Sequence, residues 1–219
     1  MISEGRITLN GEVAPSLGCK IDPRQDVVLI DGVPFEPVKA KKKEYYAFHK
    51  PRGVVTTLND PEGRLCINDF VKGAGTRLFP IGRLDYHTEG LLILTNDGEL
   101  TDKLLHPKYE QGKVYRVKVK GIPSAETLAR LRKGIRLEDG LFRPEKIIFE
   151  ESAKRNSWYK MTIKEGRNQI IRRAWARMGH HVVRLVRIKF AGIVLGNLKP
   201  GYVRPLLKEE LVAFKKLLK

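Results

Sequence analysis

Between Ile81 and Gly98 the chain reads Ile-Gly-Arg-Leu-Asp-Tyr-His-Thr-Glu-Gly-Leu-Leu-Ile-Leu-Thr-Asn-Asp-Gly. Asp85 lies there in a loop bounded by Gly82 and Gly90, just before the continuous apolar run Leu91–Leu94. A carboxylate held beside a buried strand can act as nucleophile or base, and loops on a rigid scaffold are where such groups concentrate. The competing reading is a turn or capping aspartate, the commoner fate of a single loop Asp. The histidines offer less. His180 and His181 are adjacent and so face different ways on a helix or strand. His87 has no second ligand near it in sequence, and His49 and His106 read as structural. Cys19 and Cys66 match no metal-ligand spacing and read as reduced thiols of a cytoplasmic protein. The expectation is a site without metal.

A carboxylate of this kind needs a sheet to hold it, and the pattern supplies one. Tyr45–Lys50 reads as a strand stopped by Pro51-Arg52-Gly53, and Leu91–Thr95 as a buried strand. Asn96-Asp97-Gly98 then turns into a brief helix through Leu100 and Leu104 that ends at Pro107. Lys113–Lys120 alternates, with Tyr115, Val117 and Val119 on one face. Ser124 opens a helix that Gly134 closes. Tyr159, Met161 and Ile163 mark another half-buried strand. Residues 168–178 predict an amphipathic helix with Ile171, Ala174, Trp175 and Met178 on one stripe and Arg172 at its edge. Val182–Phe190 is a final long strand, and Leu206–Leu218 a helix. Before all of these, residues 1–38 read as short strands with turn signals at Asn10-Gly11 and Asp31-Gly32, followed by the basic linker Lys39–Lys43. Strands outnumber helices and short turns join neighbours, which predicts an α+β domain on a mixed, mostly antiparallel central sheet flanked by helices.

Composition narrows the substrate. Lys and Arg number 42 against 25 Asp and Glu, a formal +17. Such an excess favours polyanions, because each phosphate neutralised releases condensed counterions. A merely solvated basic surface and an anionic membrane are the alternatives. The second is weak, since no stretch pairs a strong apolar face with a basic one. No apolar stretch approaches the 18 or so residues of a membrane span, and the N-terminal Met-Ile-Ser-Glu-Gly-Arg has no apolar run of a signal peptide. The expectation is a soluble, cytoplasmic protein that binds nucleic acid.

The Gly82–Gly98 segment resembles the catalytic motif of pseudouridine synthases, in particular the branch that modifies ribosomal RNA (the RsuA/RluB type). That pattern is Gly-Arg-Leu-Asp, three variable positions, Glu or Ser or Cys, Gly, an apolar run and Thr-Asn-Asp-Gly. Three more segments match in the same order. Phe48-His49-Lys50-Pro51-Arg52-Gly53 resembles the Lys-Pro-x-Gly motif that opens the catalytic domain. Lys113–Val117 resembles the strand bearing the active-site tyrosine. Glu165–Arg173 resembles the third motif, whose arginine pairs with the catalytic aspartate; here Ile170 stands where the family usually has Gln or Glu. The resemblance spans about residues 44 to 205. Residues 1–38 resemble the second half of a small RNA-binding domain shared with a ribosomal small-subunit protein, without its two leading helices.

The resemblance implies a pseudouridine synthase fold with a partial RNA-binding domain and linker over 1–40 and a catalytic domain over 44–219. It makes Asp85 the catalytic carboxylate and gives Tyr115 the role of stacking on the flipped base. Arg172 becomes the natural partner of Asp85, since a guanidinium can bind a carboxylate through two parallel hydrogen bonds and an opposite charge keeps a buried carboxyl ionised. Arg83 is placed to enter the space that the base vacates. Lys50, Arg52, Arg167 and Arg173 are expected along the phosphate track. The reaction breaks C1′–N1, turns the base and joins C1′ to C5, with no cofactor, redox step or metal. The implied partner is ribosomal RNA or a pre-ribosomal particle, bound by a monomer. Asn59–Arg64 (Asn-Asp-Pro-Glu-Gly-Arg) resembles a stretch of the large-subunit subgroup and favours that RNA. Two other readings are weighed. A non-catalytic RNA-binding factor on this fold predicts a changed Asp85, Tyr115 or Arg172, and all three are present. A DNA-binding regulator has no helix-turn-helix or zinc-finger pattern to support it.

Overall fold

The computed structural model describes residues 1–14, 16–22, 25–35, 42–106, 111–153 and 155–216. The chain divides into two compact units, Met1–Lys42 and Lys43–Lys219. In the first, β1 (Ile7–Leu9), β2 (Glu12–Val13), β3 (Val28–Ile30) and β4 (Val33–Pro34) form an antiparallel sheet in the order β2-β1-β3-β4. Its hairpins turn at Asn10-Gly11 and Asp31-Gly32, whose four φ angles lie between 52° and 91°. That is the handedness that matches the twist of paired strands. Residues 36–41, most of the expected basic linker, lie outside the described residues.

The second unit runs β5 (Tyr45–Lys50), α1 (Asn68–Val71), β6 (Phe79–Ile81), β7 (Glu89–Thr95), α2 (Gly98–Leu105), β8 (Lys113–Lys120), α3 (Ala125–Lys133), β9 (Ile135–Leu137), β10 (Gly140–Phe142), β11 (Lys146–Ala153), β12 (Asn156–Ile163), α4 (Ile170–Arg177), β13 (Val182–Phe190), β14 (Ile193–Val194), β15 (Val203–Pro205) and α5 (Lys208–Lys216). Nine strands make one sheet in the order β11-β12-β8-β13-β7-β5-β15, with β6 on β7 and β14 on β13; β9 and β10 form a separate hairpin. Among the described residues every pairing of these strands is antiparallel except β13 with β7. The class is α+β, as the alternation predicts.

Core packing explains the patterns. All seven residues of β7 are buried. Leu92 and Leu94 enter one core with Phe48, Val117 and Trp175, while Leu91 and Ile93 enter a second with Ala47, Phe190 and Phe214. A strand covered on both faces needs no alternation. β12, covered on one face, alternates cleanly. α4 inserts Ile170, Ile171, Ala174 and Trp175 into the first core. It begins at Ile170 rather than 168 because Gln169 is left-handed (φ 44°, ψ 29°), a conformation a helix cannot run through. Ser124 caps α3 by accepting from the Thr127 N–H at 3.1 Å, and Gly134 ends it at φ 111°. α2 spans eight residues from its Asp97 cap; Pro107, its expected stop, lies outside the described residues, as do 217–219 beyond α5. No helix among the described residues is long and apolar enough to cross a membrane.

Candidate active site

Asp85 stands on the loop between β6 and β7, and that loop is held from three sides. The Thr88 N–H closes back on Asp85 O at 2.9 Å. Thr56, buried, donates its hydroxyl to Leu84 O (2.6 Å) and accepts from the Leu84 N–H (3.2 Å). The Gly53 N–H donates to Tyr86 O (2.8 Å). Arg172 donates from Nη2 to His87 O (2.8 Å) and from Nη1 to Val182 O (3.2 Å). Backbone fixed at four points presents the Asp85 carboxylate with little freedom to lose on binding, which is the preorganisation a reacting group requires.

The carboxylate is exposed and forms one wall of an open cleft of about 1010 Å³. Tyr115 from β8 and Arg187 from β13 line the same cleft as cross-strand neighbours. Arg83, Lys113 and Arg167 line it as well. Tyr115 is buried to 7% exposure, so its ring forms a wall rather than a mobile flap. Arg187 is 2% exposed. Its Nε donates to Leu91 O at 2.7 Å, its guanidinium lies 4.9 Å from the Phe190 ring centroid, and its buried Nη2 has no partner. A buried donor without a protein partner is costly, and this one belongs to a side chain that lines the cleft.

Several expected placements change. Asp85 is not enclosed in a water-free pocket. Arg172 does not form the expected ion pair with Asp85 within 4 Å; it is spent on two carbonyls, one of them in the Asp85 loop. It feels the carboxylate through space all the same. Burial draws its guanidinium below the ordinary value, with Asp85 pulling it back up and Arg52 pushing it down. Lys50 is not on a phosphate track, because it is fully buried and donates to Pro51 O (2.9 Å) and Val54 O (2.7 Å). Burial brings its ammonium down to about 8, opposed by Asp85 and Glu89. The lysine therefore stiffens the 50–54 turn that carries Gly53 and lends positive potential behind Asp85. Arg167 and Arg173 meet at Asp139 on the β9–β10 turn, at 2.9 and 2.7 Å, and hold its carboxyl below the usual range. Arg52 and Arg83 are exposed, but only Arg83 lines the cleft. Arg187 escapes the sequence reading altogether. Among the described residues no group of three or more His, Cys, Asp or Glu side chains could hold a metal.

A carboxylate on a clamped loop, an aromatic wall and several cations thus meet around one open cleft. The comparisons with known proteins place the chain in a family. Residues 44–177 match the family model described as RNA pseudouridylate synthase. An RNA pseudouridine synthase of Aquifex aeolicus is 45% identical over 96% of this chain and 84% of its own length. The ribosomal large subunit pseudouridine synthase B of Bacillus subtilis is 42% identical over 96% of this chain and 86% of its own. A crystal structure of a pseudouridylate synthase superposes with a TM-score of 0.70 at 27% identity, covering 97% of this chain and 90% of that one. This chain belongs to the RNA pseudouridylate synthase family, isomerases that act on RNA.

Proposed function

We propose that this protein converts a uridine of large-subunit ribosomal RNA to pseudouridine, with Asp85 as the catalytic carboxylate and no cofactor. The observation that carries the reading is the convergence of Asp85, Tyr115 and Arg187 on one cleft. The name of the Bacillus subtilis relative and the Asn59–Arg64 stretch favour the large subunit. The target nucleotide leaves its stack, at a cost of a few kcal/mol, and Arg83 fills the space. Asp85 acts at the sugar or base while C1′–N1 breaks. The freed base turns against Tyr115, C1′ joins C5, the C5 proton leaves to solvent, and N1 takes up a proton from solvent, so that the atoms balance. Arg187 Nη2 supplies a hydrogen bond to an oxygen of the bound nucleotide, an interaction worth about 1.5–3 kcal/mol for a charged donor. Since the product is an isomer of the substrate, the reaction draws on no oxidant, reductant or energy source. The polyanion is met by a monomer, in the cytoplasm, on ribosomal RNA or a precursor particle.

Tritium release from 5-tritiated transcripts of both ribosomal RNAs tests this. Wild type is expected to release tritium from the large-subunit transcript. Asp85→Asn is expected to lose turnover by about ten-thousandfold, the scale of losing an essential side chain, while binding RNA as wild type does. Turnover by the Asn variant would remove Asp85 from its role, and release from the small-subunit transcript alone would overturn the substrate assignment.

A further inference from the structure

The cleft at Asp85 continues beyond its own walls. Arg143 and Glu145, on the segment between β10 and β11, line it and also line a second cavity of about 500 Å³. Arg132, Pro144, Lys146 and Ile147 complete that cavity. Three cations and one carboxylate therefore face it, and Lys164 already neutralises Glu145 at 2.8 Å. Arg132 commits one amino group to Ile147 O at 3.2 Å. Arg143 and Lys146 are exposed, and among the described residues neither side chain makes a hydrogen bond or an ion pair. Other arginines of the same unit differ. Arg167 and Arg173 are held by Asp139, Arg116 by Glu150 and Arg184 by Glu89. The segment carrying the unpaired cations is itself rigid, since Phe142, Pro144 and Ile147 are buried and the Glu145 N–H donates to Thr162 O at 2.9 Å.

We infer that this second cavity is a phosphate subsite, which takes backbone phosphates of the RNA strand flanking the nucleotide inserted at Asp85. The inference rests on the proposed reading that an RNA nucleotide enters there. A strand leaving the cleft on this side passes Arg143 first, because that residue belongs to both spaces, and then reaches Lys146 and Arg132. A guanidinium can hold a phosphate through two hydrogen bonds, and an ammonium serves as a point charge. Contacts of this kind set the register of the strand without reading its bases.

The test is the salt dependence of binding of unmodified large- and small-subunit ribosomal RNA transcripts to the full chain. R143A/K146A is compared with R177A/K208A, which removes the same charge from exposed cations on α4 and α5. Loss of two single-strand phosphate contacts lowers the slope of log K against log salt by about 1.4, at roughly 0.7 per contact. R143A/K146A is expected to show that drop, with KM raised and kcat retained at saturating RNA. R177A/K208A is expected to keep the wild-type slope, and R143K/K146R to restore it. Equal slopes for the two double-alanine variants would overturn the subsite. Tritium release by wild type, measured on the same transcripts, separates the two ideas. Release together with equal slopes defeats the subsite alone. Absence of release defeats the reaction reading, while a slope difference still places phosphates at Arg143 and Lys146.

Discussion

Two cations, the buried Lys50 and the half-buried Arg172, flank the Asp85 loop, and they call for different experiments. Arg172 reaches the Asp85 loop through the His87 carbonyl, so its contribution is to loop order rather than to direct charge pairing. Arg172→Ala removes two charge-assisted hydrogen bonds and is expected to cost about 2–4 kcal/mol of stability along with a large fall in kcat. Urea denaturation beside tritium-release kinetics checks this. An Arg172→Ala variant of wild-type stability but no activity would point back to a direct role at the carboxylate. Lys50 makes itself felt through pH. Its folded pKa of about 8 lies below the ordinary value, so between about pH 8 and 10.4 the unfolded chain holds a proton that the folded chain does not. Its contribution to stability therefore rises with pH across that window, by about 3 kcal/mol at 1.36 kcal/mol per pH unit, and its full cost is present below pH 8. Lys113, also lowered by burial, acts in the same direction. The difference between wild type and Lys50→Met isolates Lys50, because Lys113 remains in both. Parallel stability curves for the two proteins over this window would mean that Lys50 does not titrate there.

At the scale of elements, the site depends on how β7 meets β13. These strands form the one parallel pair of the sheet, with Gly90 opposite Arg187. Gly90 has φ 112°, and a Cβ placed there would fall on the Arg187 backbone oxygen and nitrogen. Gly90→Ala must therefore strain its own backbone and push β13 away, moving Arg187 from the cleft that Asp85 faces. Overpacking of this kind costs about 1–3 kcal/mol, so a drop in Tm and a loss of activity are expected together. Calorimetry and single-turnover kinetics measure both, and unchanged values would show that the sheet yields at this point. This pair also marks the limit of what the amino-acid pattern reveals. β7, β8 and α4 are legible because their apolar residues follow one period, and Asp85 is legible because a long motif surrounds it. Arg187 is not. β13 carries apolar residues on both parities, Val182, Val186 and Phe190 against Val183 and Leu185, so alternation does not tell its buried cation from the exposed Arg184. Bulges at Val182/Arg184 and Arg187/Lys189 then set which side chains face the cleft. The Arg172 contact differs from the expected one for a related reason. Its sequence position fixes the helix it sits on, but the left-handed Gln169 fixes where that helix begins, and so which carbonyl the guanidinium meets.

Across the whole molecule, charge and core are distributed unequally. Residues 1–38 contain three Lys and Arg against six Asp and Glu, so the positive excess lies wholly in 39–219. Both apolar cores lie within the second unit as well. In the first unit Ala14 is the one buried residue among those described, while Leu17, Val33 and Val13 are 81%, 66% and 58% exposed. A segment so short and so little buried contributes little folding free energy of its own. If affinity for RNA rests mainly on phosphate neutralisation, a chain of residues 39–219 should keep the salt slope of the full protein and a similar Tm. Any contribution of the first unit then has to come through shape or base contacts, and would appear as lost preference for the target transcript at unchanged salt dependence. Competition binding of target against non-target ribosomal RNA, across a salt series, separates these terms. A slope lower by two or more in the shortened chain would mean that residues 1–38 reach phosphates despite their net negative charge, through the few cations that Arg6, Lys20 and Arg24 provide.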